Sequence, residues 1–160
     1  MHATLQYLRY EACDGVGGVE KEISRLVSDG FITPDQAALV RCDKLAAFFA
    51  TDLGAKLRKG EHVLREFKFS ILDDAAAYGP GLEGEKVLLQ GVVDCALVEQ
   101  DGITIVDFKT DYVTEETLPG VTERYRPQVS AYADALGRIY QMPVKASFLY
   151  FFRLDRFVIL

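Results

Sequence analysis

A chain of 160 residues with 49% hydrophobic composition has the size of one ordinary domain and enough apolar surface for a core without staples. Its three cysteines, Cys13, Cys42 and Cys95, are odd in number, widely spaced and lack a CxxC pair, which excludes a disulfide framework and a four-cysteine metal or iron–sulfur site. The formal net charge of −6 excludes wrapping of nucleic acid by bulk electrostatics, but not an enzyme that gathers carboxylates around a cation. No stretch nears the roughly 20 apolar residues of a membrane span and no apolar run follows a basic start, so a soluble protein of the reducing cytoplasm is expected.

In chain order, residues 1–14 read as a helix with Leu5, Leu8 and Ala12 at helical spacing, broken by a Gly15-Val16-Gly17-Gly18 loop. That loop lacks the GK[ST] ending of a phosphate-binding loop, so no ATP site is read there. A short amphipathic helix from Val19 to Ser28 follows, ended by Asp29-Gly30. Thr33 is an N-cap and Pro34 suits a first helical position, so a helix is expected from Pro34 to about Ala50, with Ala38, Leu39, Leu45, Phe48 and Phe49 available for packing. The turn from Thr51 to Lys59 carries Lys56, Arg58 and Lys59, read as a solvated face.

From His62 the hydrophobic period changes to two, which marks a strand through Ile71; residues 73–86 read as an exposed connection. Two β-rich runs, VLLQGVVDCALV and ITIVDFKT, then flank Glu99-Gln100-Asp101-Gly102, a hairpin signal. A polar loop to Tyr125, a helix from Pro127 to Tyr140, and a strand from Val144 to Phe152 complete the reading, with residues 157–160 closing the chain. Helices, strand, hairpin, helix and strand in this order predict an α/β fold, a central mixed sheet flanked by helices.

A hairpin turning on Asp101-Gly102 sets Asp94 opposite Lys109 and Ala96 opposite Asp107. Alternation then puts Asp94, Asp107 and Lys109 on one face, with Val93, Cys95, Leu97, Val106 and Phe108 on an apolar core face. A four-residue loop from Gln100 to Ile103 keeps this arrangement; an odd loop length would send Asp94 to the other face. Two adjacent carboxylates need a divalent cation or a lysine to offset their repulsion. Oxygen donors of this kind suit Mg2+ or Mn2+, and phosphodiester hydrolysis can use the arrangement. The structural alternative is an Asp94–Lys109 cross-strand ion pair with Asp107 in solvent.

The ordered set GVVD, DFKT and QVSAY resembles the RecB-type nuclease domain of the PD-(D/E)XK superfamily, with most likeness to the C-terminal domain of AddA helicase–nucleases. The resemblance spans nearly the whole chain. It implies a restriction-endonuclease-like core in which Asp94, Asp107, His2 and the Phe108 carbonyl bind Mg2+ or Mn2+ and Lys109 is catalytic. Gln128 and Tyr132 would support the site from one side of a helix, and Glu66 in REFKF matches a glutamate of such nucleases, while His62 is left as a structural residue. The reading implied is a metal-dependent exodeoxyribonuclease of double-strand break repair and recombination acting on DNA, as one strand. The chain would be the C-terminal nuclease domain of a longer polypeptide, working with its helicase portion and an AddB-like partner subunit. Absence of the cysteine cluster of AddB-like relatives favours the AddA side, and with no helicase motor here, ATP hydrolysis is not expected. Arg124, Arg126, Arg138 and Lys145 are candidate phosphate contacts. The rival readings are a module that binds DNA or a partner without cutting, and a stand-alone endonuclease that would dimerise to cut duplex DNA.

Overall fold

The computed structural model describes residues 2–60 and 62–160, the side chains of His2 and Ala3 excepted. Five strands, β1 (Val63–Asp74), β2 (Lys86–Glu99), β3 (Gly102–Lys109), β4 (Val144–Phe151) and β5 (Arg156–Ile159), form one sheet in the order β1-β2-β3-β4-β5. All neighbours are antiparallel except β3 and β4, which run parallel. A parallel neighbour requires a crossover, and α6 (Leu118–Tyr140) supplies it.

The sheet is buried on both sides. On one face, α1 (His2–Tyr7), α2 (Gly15–Ser28), α3 (Pro34–Ala38), α4 (Cys42–Ala50) and α5 (Asp52–Lys59) surround a core of Leu26, Leu45, Phe48, Phe49, Cys95, Val106, Phe108 and Tyr150. On the other, α6 packs Val129, Tyr132, Ala135 and Leu136 against Phe69, Val93, Ala96, Ile105 and Leu149. All eight residues of β3, the middle strand, are therefore buried.

Several sequence-based boundaries are revised. Residues 15–18 are the first turn of α2 and not a loop; a side chain at Gly18 would approach the Ala12 carbonyl oxygen at 2.5 Å, so glycine here serves close packing. The expected first helix ends at Tyr7, followed by a short 3-10 turn at Tyr10–Ala12. The helix expected from Pro34 to Ala50 is two. Thr33 and Gln36 form a capping box at α3, but Arg41 leaves the helical conformation, which redirects Leu45, Phe48 and Phe49 onto the sheet and leaves Leu39 82% exposed. β1 runs on to Asp74, into the expected connection. The last helix begins nine residues before Pro127. Proline costs α6 one backbone donor, and burial of Leu118, Thr122 and Val129 on both sides of it carries the helix through.

Candidate active site

β3 carries Asp107 and Lys109 two residues apart, hence on the same side, the side covered by α6. The hairpin pairs Glu99 with Gly102 and Cys95 with Val106, a register shifted by two residues from the expected one, because the turn consists of Gln100 and Asp101 alone. A shift of two preserves parity, so the carboxylates stay together; the residue that the register sets across from Asp94 is Asp107, not Lys109. The β2–β3 pairing ends at Cys95 and Val106. Beyond it the Phe108 backbone N–H donates to Asp94 Oδ2 at 2.8 Å, so a carboxylate occupies the place of a ladder partner where β2 leaves β3.

The same point is a break in alternation. Glu66 lies between the pairs Arg65–Cys95 and Phe67–Val93, opposite Asp94, with φ at +49°. Leu64 and Ala96 join the α6-side core, and so do Phe67 and Val93, three residues away. Both strands therefore change face at Glu66 and Asp94, which corrects the expectation that Val93 shares a face with Cys95. The assumption of a single apolar face is corrected too, since both faces are packed.

Asp107 is 2% exposed and Lys109 8%. Lys109 Nζ lies 2.5 Å from Asp107 Oδ2, an ion pair whose geometry leaves that oxygen without a directional hydrogen bond among the described residues. Burial, followed by the charge of Asp94, pushes the Asp107 carboxyl up to about 6 despite the lysine. The solvent-exposed Asp107 of the simple ion-pair alternative is thus not what the fold produces.

α6 contributes the other wall. Gln128 Oε1 is 3.4 Å from Lys109 Nζ, and Gln128 Nε2 donates to the Tyr132 hydroxyl at 2.7 Å. Tyr132 is seated edge-on against Phe69, with ring centres 5.9 Å apart. Two further residues, Tyr125 and Asp111, are not evident from the sequence motifs. The Tyr125 ring centre lies 3.7 Å from Lys109 Nζ, and its hydroxyl donates to the Asp111 carboxylate at 3.0 and 3.1 Å. A signal for the tyrosine exists, since Tyr125, Gln128 and Tyr132 follow helical spacing, but a helix starting at Pro127 leaves Tyr125 outside it.

α1 is docked near β1 by Arg65, whose guanidinium donates to the Leu8 carbonyl and lies 5.0 Å from the Tyr10 ring centre. The His2 side chain, expected as a metal ligand, lies outside the described residues. Among the described residues no cluster of three or more His, Cys, Asp and Glu side chains forms. Asp94 and Asp107 nonetheless match a hard divalent cation in donor type, and the buried Asp107 Oδ2, ion-paired with Lys109 but without an aligned hydrogen bond among the described residues, is an oxygen that such an ion could take as a ligand.

Of the four candidate phosphate contacts, three form ion pairs with nearby carboxylates and the fourth, Arg124, lies beside the site. Arg126 pairs with Glu123, Arg138 with Asp73 and Asp134, and Lys145 with Glu99 and Asp101; Arg124 lies 5.6 Å from the Tyr125 ring centre. His62 is remote from the carboxylates, its carbonyl accepting from Val98 N–H.

Residues 1–158 match the family model of the PD-(D/E)XK nuclease superfamily. Over 95% of its length the chain is 36% identical to an ATP-dependent helicase/nuclease polypeptide of Bacillus cereus strain AH820, and 34% identical to its counterpart in Bacillus mycoides strain KBAB4. It spans 13% of the length of these relatives.

Proposed function

The chain belongs to the PD-(D/E)XK nuclease superfamily, and from that premise we propose that it hydrolyses DNA phosphodiester bonds as a divalent-metal-dependent exonuclease. The observation that carries this reading is the buried Asp107, held beside Asp94 with its charge opposed by burial and answered by Lys109. Two adjacent carboxylates, one of them buried, are costly for a fold to keep with a single lysine to offset them, and a divalent cation would lower that cost.

Asp94 and Asp107 would hold the ion, Mg2+ or Mn2+, with the Phe108 carbonyl and His2 completing its protein ligands. When bound, the ion supplies positive charge for the phosphate oxygens and lowers the pKa of a coordinated water. Lys109 supplies a donor to that attacking water or to the developing negative charge, and Asp107 and Gln128 hold its ammonium in place. Glu66, opposite Asp94, and Tyr132, behind Gln128, set the orientation of these groups.

By analogy with the helicase/nuclease polypeptides it resembles, the chain acts as the C-terminal nuclease domain of a longer cytoplasmic polypeptide. There it receives one DNA strand from a helicase portion, beside an AddB-like partner subunit, in double-strand break repair and recombination. The test is cleavage of end-labelled single-stranded DNA with Mg2+, Mn2+ or EDTA. Metal-dependent cutting is expected for the parent chain, reduced about 100- to 1,000-fold or more in Lys109→Ala and abolished in Asp107→Ala. Full activity in a clean, folded Asp107→Ala preparation rules out this site.

A further inference from the structure

A cleft of about 520 Å³ opens directly beyond the end of β3, lined by Arg41, Lys44, Thr110, Tyr112, Arg153 and Leu154 among others. Tyr112 is 78% exposed even with the Arg153 guanidinium 3.8 Å from its ring centre, so one ring face is covered by a cation and the other is open. The loop that carries it is anchored on both sides. Asp111 accepts the Tyr125 hydroxyl, and Val113 is fully buried with its carbonyl accepting from Arg153 Nε at 3.0 Å. An aromatic ring held in solvent by a fastened loop is prearranged for a flat partner, and Arg153 on its rear face strengthens such a stack.

The flanking cations suit a phosphate backbone. Lys44 pairs with Asp155 and Arg41 with Asp43, both through partly or fully exposed carboxylates that contribute little and can give way to phosphate. Tyr112 is three residue steps on from Lys109, a Cα span of at most about 11 Å.

We infer that Tyr112, backed by Arg153, is a base-stacking subsite for a single DNA strand, with Arg41 and Lys44 contacting its backbone phosphates. Its position beside the scissile phosphate rests on the nuclease reading above; its affinity for a strand does not. Stacking on an aromatic ring is indifferent to base identity, so the subsite is sequence-tolerant and holds the nucleotides next to the cut.

The test is fluorescence anisotropy of labelled oligo(dT) with the 160-residue chain, in EDTA and at one fixed ionic strength, comparing parent, Tyr112→Ala and Tyr112→Phe. Tyr112→Ala is expected to weaken binding about 5- to 150-fold and Tyr112→Phe to retain it. A strand of the same length that is abasic throughout is expected to reproduce the loss with the parent and to add nothing to Tyr112→Ala. Circular dichroism checks that the variants are folded. Equal binding by Tyr112→Ala, additive losses, or no strand binding by the parent overturns the subsite. Cleavage is read separately: a chain that binds through Tyr112 but never cuts sinks the nuclease reading alone, and one that cuts with Tyr112 irrelevant sinks the subsite alone.

Discussion

At Lys109 three side chains converge on one ammonium group: Asp107 at 2.5 Å, Gln128 at 3.4 Å and the ring of Tyr125 at 3.7 Å. The carboxylate supplies charge, the amide a direction, and the ring a face that an ammonium favours by about 0.5–2 kcal/mol. Tyr125 is therefore a positioning residue. Tyr125→Leu is expected to lower kcat about 2- to 30-fold while Mn2+ affinity and strand binding hold, and Tyr125→Phe, which keeps the ring, is expected to recover most of the rate. Equal losses in kcat for Leu and Phe would show that the hydroxyl bond to Asp111, and not the ring, is what matters. The helical spacing of Tyr125 with Gln128 and Tyr132 is the one trace of this in the sequence; Tyr125 stands two residues before Pro127, and only a helix continuing through the proline turns it toward Lys109.

Among the elements, α6 and the long β1–β2 ribbon meet at Gly91. A Cβ built there would sit 2.7 Å from the Phe69 ring and 3.1 Å from Tyr132, the residue on which Gln128 depends. Gly91→Ala must push this stack apart, and overpacking of this kind typically costs about 1–3 kcal/mol. A lower melting temperature is expected, with reduced cleavage as Tyr132 and Gln128 move. Unchanged stability and rate would mean that the ribbon bends freely here. The same ribbon shows where periodicity reasoning stops. Strict alternation places Val93 with Cys95, whereas the left-handed backbone at Glu66 turns both strands over at one point.

For the whole molecule, the raised Asp107 carboxyl ties stability and metal binding to pH. In the folded, metal-free chain it keeps its proton up to about 6, against an ordinary value of 3.8, so the native state binds more protons than the unfolded one in that interval. Its contribution to stability is present below the ordinary value and is lost as pH rises through about 6. A cation must displace that proton, so Mn2+ affinity is expected to climb toward pH 6 and level off above it. Calorimetric titration at about pH 5, 6 and 7.5, values bracketing that range, reads the affinity, and thermal melts of the metal-free chain read the stability. Asp107→Asn is expected to flatten its share of the melting slope; a parent whose Mn2+ affinity ignores pH would contradict the assignment.

The amino-acid sequence by itself determined the fold class and the pairing of chemistry with strands. Alternation along β3 puts Asp107 and Lys109 on one side, and a short turn of even length brings Asp94 across from this pair, because a shift of two in register moves the partner without changing the parity. The Gln128 and Tyr132 spacing survived likewise, since i, i+4 holds along any helix. What only the tertiary structure decided are the features that depend on burial against distant elements. These are the desolvation that lifts Asp107, the passage of α6 through Pro127, the face change at Glu66 and Asp94, and the exposure of Tyr112 beside Arg153. Each arises where two segments remote in sequence compete for the same space, and no local pattern records the outcome of that competition.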